Sequence, residues 1–162
     1  MNICVVCSGN ICRSPFAHYI LQRELGDRHT VFSAGTLGIT GRNAYEECIA
    51  LSPYYKINLS THKSQGITHD LVKKSDILLT MTQSHNHFLI QKYNIPQEKV
   101  QLLSHYLPEK KAFDLGELGV VRKGDDIPDP MGMSIKKVKP VLDILELACI
   151  RFARDLEKSI KL

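Results

Sequence analysis

Four short apolar runs alternate with helical patterns along this chain, and this alternation limits the possible folds more than any other feature. The runs have the length and β-branching of buried strands, and they cover residues 2–6, 30–34, 76–81 and 99–103. Apolar residues recur at helical spacing within 16–21, 84–93 and 138–156. Strands alternating with helices form right-handed crossovers and a covered parallel sheet. We therefore predict a single-domain α/β fold, Rossmann-like, with a four-stranded parallel sheet flanked by helices on both faces.

The bulk properties fit one globular domain. A length of 162 residues suffices to bury about two thirds of the surface that the unfolded chain exposes. The net charge of +4 is modest, and its basic residues lie in short scattered clusters, so no nucleic-acid partner is expected. The chain has neither a basic leader region nor an apolar stretch of membrane-spanning length. We expect a cytoplasmic protein with no membrane partner.

Three further features complete this outline. Five cysteines, an odd number, argue against a disulfide framework and for reduced, buried or reactive thiols. The histidines form no recognisable ligand set, so no metal site is expected. Residues 107–133 are predicted to form a long loop, and loops of this length in compact domains are more often functional than idle. Pro140 is expected in the first turn of the last helix, the only turn that tolerates proline.

The segment from Val5 to Pro15 joins the first predicted strand to the first predicted helix. In an open α/β sheet, ligands bind at the carboxyl ends of the strands, which is where this segment must lie. Gly9 and Asn10 are the residue types that best tolerate a positive φ, so the backbone can curl until its N–H groups converge. Pro15 suits the first position of the following helix, and that helix directs its positive end into the loop. Together these features predict an anion site.

Two side chains give this predicted anion site a reactive character. Arg13 carries a planar guanidinium that can hold two phosphate oxygens at once. A thiol at a helix N-terminus beside an arginine ionises readily, so Cys7 is a candidate nucleophile, with the Ser14 hydroxyl as a donor to it. The alternative is an ordinary strand-to-helix turn with a buried cysteine and a surface arginine.

The string from Cys7 to Pro15 resembles the signature of the low-molecular-weight protein tyrosine phosphatase family, and Asp129-Pro130 resembles that family's general-acid motif. The order of strands and helices is similar along nearly the whole chain, so residues 1–162 are expected to form one phosphatase domain. The resemblance implies a hydrolase that acts on a phosphorylated protein through a cysteinyl phosphate, without metal or organic cofactor. We expect a monomer or a weak dimer.

The long loop offers three carboxylates that could protonate the leaving group: Asp125, Asp126 and Asp129. By chemistry alone any of them could serve. Pro128 and Pro130 fix the backbone around Asp129, which favours it, and the resemblance makes Asp129 the predicted acid. In the predicted cycle Arg13 and the backbone amides of the loop stabilise the phosphate oxygens. These amides belong to Ser8, Gly9, Asn10, Ile11, Cys12 and Arg13.

The resemblance also assigns supporting roles. Ser33 and His62 align with residues that brace the loop through Asn10 and Ser14, although a capping serine and a surface histidine are equally compatible with the sequence. Cys12 is either a small apolar filler or a redox partner that traps oxidised Cys7 as a disulfide.

The substrate is less well determined. Ile11 matches the tyrosine-directed members, whereas related protein-arginine phosphatases usually carry threonine there. The other expected walls, Ile39 and Met131, are aliphatic where aromatic residues are common, and the string from Met81 to His85 resembles a bacterial branch that includes arginine phosphatases. We predict a tyrosine phosphatase, with an arginine phosphatase as the alternative.

Two less favoured alternatives also remain. Thioredoxin-coupled arsenate reductase shares the loop and fold, but it needs a closely spaced downstream cysteine pair, and Cys48 and Cys149 are too far apart in sequence to resemble one. A phosphotyrosine-binding module would need neither Cys7 nor Asp129.

Overall fold

The computed structural model describes residues 1–161 and has a parallel central sheet. Its four strands lie in the order β2-β1-β3-β4. Their bounds are β1 Asn2–Cys7, β2 Thr30–Gly35, β3 Ile77–Thr80 and β4 Val100–Leu102. The predicted four-stranded parallel sheet is confirmed, and each strand ends within two residues of its expected position.

Helices pack on both faces of the sheet, and residues 1–161 contain five α-helices: α1 Arg13–Leu25, α2 Glu46–Leu51, α3 His69–Lys74, α4 Gln83–Tyr93 and α5 Ile135–Ile160. Because α1 begins at Arg13, Pro15 is its third residue, and the expected place of Pro15 at the first helical position is wrong. The strand β1 shows why both faces are covered. Ile3 and Val5 pack into the larger core cluster with α1 and α5, while Cys4 and Val6 pack into a second cluster with α3 and α4. All four side chains are fully buried, as expected of a central parallel strand.

The chain between β4 and α5 is partly ordered by a small hairpin, β5 Phe113–Asp114 and β6 Val120–Val121, which pair antiparallel. The prediction of an unbroken loop over residues 107–133 is therefore wrong in its middle. The pairing is two residues long in each strand, too short to produce a visible alternation in the sequence. The part that follows, from 122 to 134, runs without regular structure to the start of α5.

The expected position of Pro140 is also wrong. The helix α5 begins at Ile135, so Pro140 is its sixth residue rather than a member of the first turn. The backbone N–H groups of Lys137 and Val138 bond the carbonyl of Ser134 and start the helix early. Proline lacks an N–H group, so it leaves one helical carbonyl of the preceding turn without its usual donor.

Among residues 1–161, no helix combines the length and the apolar character that crossing a membrane requires.

Candidate active site

The loop between β1 and α1 is organised around Asn10, which is fully buried. Its φ of 56° lies in the left-handed region, a conformation that asparagine tolerates better than most residues. Gly9, the other residue at which the sequence allows a positive φ, does not adopt one. The Asn10 side chain donates to the Ser14 hydroxyl at 2.9 Å and accepts from the backbone N–H of Gln65 at 3.0 Å. One side chain thus ties the start of α1 to the segment that precedes α3.

Cys7 lies at the end of β1 with its sulfur facing the start of α1. The Cys7 Sγ lies 3.0 Å from the Ser14 Oγ, and the backbone N–H of Asn10 points to the same sulfur at 3.3 Å. A hydroxyl and an amide can therefore both donate to a thiolate at this position. The cysteine is only 3% exposed, yet it lines a surface cavity.

Gly35, the last residue of β2, allows the loop to pack closely on the sheet. A Cβ atom at this position would lie 2.6 Å from the carbonyl oxygen of Ser8 and 2.9 Å from the backbone nitrogen of Asn10. Both neighbours are backbone atoms of the loop, so neither can rotate away. Only glycine fits here without displacing the loop.

Arg13 is held by the chain that leads to α5. Its Nη1 donates to the carbonyl of Ile127 at 2.8 Å, and the N–H of Ile127 donates to the carbonyl of Met81 at 2.9 Å. Its Nη2 lies 3.5 Å from the Asp129 Oδ2. The guanidinium is therefore fixed from one side, and the same contacts hold Asp129 near the loop of Cys7.

The three candidate carboxylates have different environments. Asp125 accepts the backbone N–H of Arg122 at 2.8 Å, and Asp126 accepts that of Gln83 at 2.8 Å. Each of these two residues therefore caps a local turn or helix end, and neither lines the cavity above Cys7. Asp129 does line it, and its side chain remains 45% exposed. The geometry brings only this one of the three together with the thiol and Arg13.

The cavity above Cys7 has a volume of about 210 Å³. Polar groups occupy its base, while its walls are aliphatic: Ile11, Leu37, Ile39 and Met131. The side chains of Ile11 and Ile39 converge over Gly9, since both lie within 4 Å of the position that its Cβ would take. Three of these wall residues are predicted from the sequence, and Leu37 is not. An exposed leucine in a loop, here 67% accessible, gives no pattern by which the sequence could reveal it.

A family model described as low molecular weight phosphotyrosine protein phosphatase matches residues 2–162. The chain belongs to this family. The resemblance predicted from the string between Cys7 and Pro15 is confirmed, and the chain is a hydrolase of the low-molecular-weight protein-tyrosine-phosphatase class.

Curated members of the family cover much of this chain. It is 32% identical to the low molecular weight protein-tyrosine-phosphatase Ptp of Acinetobacter johnsonii over 129 residues, covering 80% of this chain and 79% of that protein. It is 31% identical to the phosphatase Wzb of Escherichia coli over 155 residues, covering 96% of this chain and 95% of that protein.

Solved structures of the family include two kinds of phosphatase similar to this chain. One is a YwlE arginine phosphatase with a phosphorylated active site serine (TM-score 0.82, 27% identity, 98% of this chain and 97% of that one). The other is the tyrosine phosphatase Wzb from Escherichia coli in complex with sulphate (TM-score 0.80, 30% identity, 96% of this chain and 97% of that one). Overall similarity therefore does not separate the two substrate classes.

The two bracing residues suggested by the family resemblance differ in their contacts. The His62 Nε2 lies 2.9 Å from the Asn10 carbonyl, in reach of donating to it. The Ser33 hydroxyl instead lies 3.1 Å from the Nδ1 of His18, and in the described chain it bonds neither Asn10 nor Ser14. The brace through Asn10 and Ser14 that the resemblance implies for Ser33 is therefore not a direct hydrogen bond. Ser33 lies on β2, where Gln65 donates to its carbonyl at 2.9 Å, so its link to the loop is indirect.

His85, on α4, contacts the loop between β1 and α1, and the sequence does not predict this contact. Its Nε2 lies 2.9 Å from the Ser8 hydroxyl. The ring is 5% exposed, and within residues 1–161 its Nδ1 has no hydrogen-bond partner. Burial, together with the positive charge of Arg13, lowers the pKa of His85 to about 4. The ring is therefore neutral at physiological pH and adds no second cation beside Arg13.

Acid should destabilise the protein partly through His85. Its pKa is about 4 in the folded state against an ordinary value of 6.5, so between these values the unfolded chain binds more protons and stability falls as the pH drops. When the pH falls from 6.5 to 4, the free energy of unfolding should therefore drop in the wild type by up to about 3 kcal/mol more than in His85→Gln. Urea titrations at both ends of the window measure this difference. His87→Gln, which removes an exposed histidine of α4, is the control, and equal losses in all three proteins would contradict the prediction.

Proposed function

We propose that this chain hydrolyses phosphotyrosine in proteins, with Cys7 as nucleophile, Arg13 as phosphate ligand and Asp129 as general acid. The observation that supports this most is the convergence of these three side chains on one cavity, with the thiol at its base and the carboxylate at its rim. The site thus offers a nucleophile, an anion cradle and a proton donor around one small volume.

The proposed reaction has two steps. The Cys7 thiolate attacks phosphorus in line, the bond from phosphorus to the tyrosine oxygen breaks, and Asp129 gives that oxygen its proton. Asp129, now ionised, then takes a proton from water as the water attacks phosphorus. The bond from phosphorus to sulfur breaks, and phosphate leaves with the thiolate restored. Arg13 and the loop amides at the positive end of α1 stabilise the charge on the phosphate oxygens.

The cavity walls favour tyrosine over arginine. A phenyl ring is neutral and packs well against aliphatic side chains. The guanidinium of phosphoarginine carries positive charge, which an apolar wall does not solvate. Asp129 is the one carboxylate among the described residues that line the cavity, and the proposed reaction already uses it. Ile11 and Ile39 are thus suited to the ring of phosphotyrosine.

A side-by-side assay tests this substrate preference. Phosphate release from phosphotyrosine, phosphoarginine and phosphoserine peptides of matched sequence is expected to rank phosphotyrosine first by kcat/KM. Replacing Ile11 by threonine removes apolar contact and adds a hydroxyl, so Ile11→Thr should lower kcat/KM for phosphotyrosine by about 10-fold. Ile39→Val serves as the control, because it keeps the wall apolar. A higher kcat/KM for phosphoarginine in the wild type would replace this proposal with the arginine alternative.

The proposal has four further parts. The protein is cytoplasmic, its partner is a phosphorylated protein, it acts as a monomer or weak dimer, and it needs no cofactor. The location is supported by the five cysteines, all of which are free thiols. The proposed reaction itself uses only protein groups and water.

A further inference from the structure

The sulfur atoms of Cys12 and Cys48 lie 2.8 Å apart, although the two residues are 36 positions apart in sequence. Cys12 belongs to the loop between β1 and α1 and lines the cavity above Cys7. Cys48 is in α2 and is fully buried. Cys149 does not belong to this pair, since its sulfur lies 3.8 Å from the Ala17 carbonyl oxygen. The structure therefore places a second thiol directly behind the loop.

The backbone explains why these thiols meet. Immediately before α2, the N–H of Tyr45 donates to the carbonyl of Ile11 at 2.9 Å. This bond fixes the start of α2 against the loop at Ile11, which directly precedes Cys12. One helical turn later, Cys48 faces inward onto Cys12. The two sulfurs need to close by only about 0.8 Å to reach the disulfide bond length of about 2.05 Å.

We propose that Cys48 is the resolving thiol of an internal relay, in which oxidation of Cys7 by a hydroperoxide ends in a disulfide between Cys12 and Cys48. The proposal rests on the proposed function in one respect, since Cys7 must be the reactive thiolate of the site. It goes beyond that function because Cys48 has no part in phosphate hydrolysis. The relay returns Cys7 to its reduced form before further oxidation can inactivate it.

The relay proceeds in three balanced steps. The Cys7 thiolate attacks the hydroperoxide, the O–O bond breaks, and a proton from water completes the alcohol while Cys7 becomes a sulfenic acid. Cys12 then attacks the Cys7 sulfur, and the departing hydroxide takes the thiol proton to form water. Finally Cys48 attacks the Cys12 sulfur, its proton passes to water, and Cys7 leaves as a thiolate. Overall, the hydroperoxide gains the two electrons that two thiols lose.

The contacts of the three thiols support this order. The hydrogen bond with Cys48, burial and the negative charges of Asp129 and Cys7 all raise the pKa of Cys12, so Cys12 is a thiol at neutral pH and reacts poorly with peroxide. Cys7 is the better leaving group in the last step, because Ser14 and the Asn10 amide can both donate to its thiolate. The oxidant therefore enters at Cys7, and the disulfide forms at the buried end.

Disulfide mapping after oxidation tests the relay. The wild type, Cys48→Ala and the matched control Cys149→Ala, which also removes a fully buried thiol, are treated with one equivalent of hydrogen peroxide, alkylated and digested. The wild type and Cys149→Ala should show a Cys12 to Cys48 link and alkylated Cys7. Cys48→Ala should stop at a Cys7 to Cys12 link or at oxidised Cys7. A Cys7 to Cys12 link as the end product in the wild type would overturn the proposal.

Activity on p-nitrophenyl phosphate separates this proposal from the proposed function. Before peroxide, Cys48→Ala and Cys149→Ala should turn over at the wild-type rate. After peroxide, without added reductant, the wild type should keep several-fold more activity than Cys48→Ala. Normal initial turnover without the Cys12 to Cys48 link would refute the relay alone, whereas a wild type that hydrolyses no phosphate ester would refute the proposed function. Circular dichroism checks the fold, and Cys48→Ser replaces Cys48→Ala if the alanine variant is unfolded.

Discussion

Replacing Cys7 by serine is expected to abolish hydrolysis of p-nitrophenyl phosphate while phosphate binding persists. A serine hydroxyl at this position is a far weaker nucleophile than a thiolate, and removing a nucleophile commonly lowers kcat by about 10⁴-fold or more. The phosphate ligands do not depend on the sulfur, since Arg13 is held by Ile127 and the loop is held by Asn10. Steady-state kinetics measures the loss of turnover, and calorimetric titration with inorganic phosphate measures the binding.

Cys4→Ser provides the matched comparison for Cys7→Ser. Cys4 lies on the same strand and is fully buried in the other core cluster, where burial raises its pKa to about 12. Its replacement should lower thermal stability and leave kcat unchanged. Retained turnover in Cys7→Ser would refute the proposed nucleophile. Loss of phosphate binding in that variant would instead show that the thiol is needed to shape the loop.

The parts of the molecule that the sequence predicted well are those whose physics is local. Each strand is a short apolar run bounded by turn residues, so its existence follows from neighbouring positions. The loop from Cys7 to Arg13 is likewise a contiguous string, and its curl follows from asparagine at a position that needs a positive φ. The prolines beside Asp129 favour it and the family resemblance selects it, and the structure places it, unlike Asp125 and Asp126, at the cavity.

The features that the sequence did not reveal depend on tertiary packing. The helices α2 and α3 have six residues each, too few for a periodic pattern to stand out. Cys48 meets Cys12 only because the backbone bond between Tyr45 and Ile11 turns α2 onto the loop. His85 reaches Ser8 across 77 positions, a pairing that no local motif could indicate. These contacts surround the loop, so the sequence indicated the position of the loop but not its environment.

Arg13 is the one cation among the described residues that line the cavity, and the site is suited to one bound anion. Arg13 is 4% exposed, so its charge is only weakly screened by water and acts strongly on the cavity. Lowered pKa values keep the neighbouring rings of His62 and His85 neutral under physiological conditions, and burial is the main cause for both. These rings can therefore position the loop through hydrogen bonds without repelling Arg13. A phosphate bound in the cavity would pair with the positive charge of Arg13 and accept its remaining hydrogen bonds from backbone N–H groups.

Replacing Asp129 by asparagine is expected to lower kcat for phosphotyrosine peptides by about 10²- to 10³-fold, because the leaving tyrosine oxygen loses its proton donor. The loss should be smaller for p-nitrophenyl phosphate, since p-nitrophenolate is a weaker base and leaves more readily without a proton. The substitution also removes the contact with Arg13 at 3.5 Å. That carboxylate is 45% exposed, so the free energy of unfolding should change by less than about 1 kcal/mol.

Asp126→Asn separates general-acid catalysis from a structural effect on the same loop. Asp126 lies three positions earlier and accepts the backbone N–H of Gln83, so its amide variant weakens the loop anchor and keeps the acid at the cavity. Its kcat should stay within about threefold of the wild type, with equal effects on both substrates, because a positioning defect does not depend on the leaving group. Kinetics on phosphotyrosine and p-nitrophenyl phosphate decides between the two roles. Equal losses of kcat on both substrates in Asp129→Asn would assign Asp129 to holding Arg13 in place and leave the reaction without an identified acid.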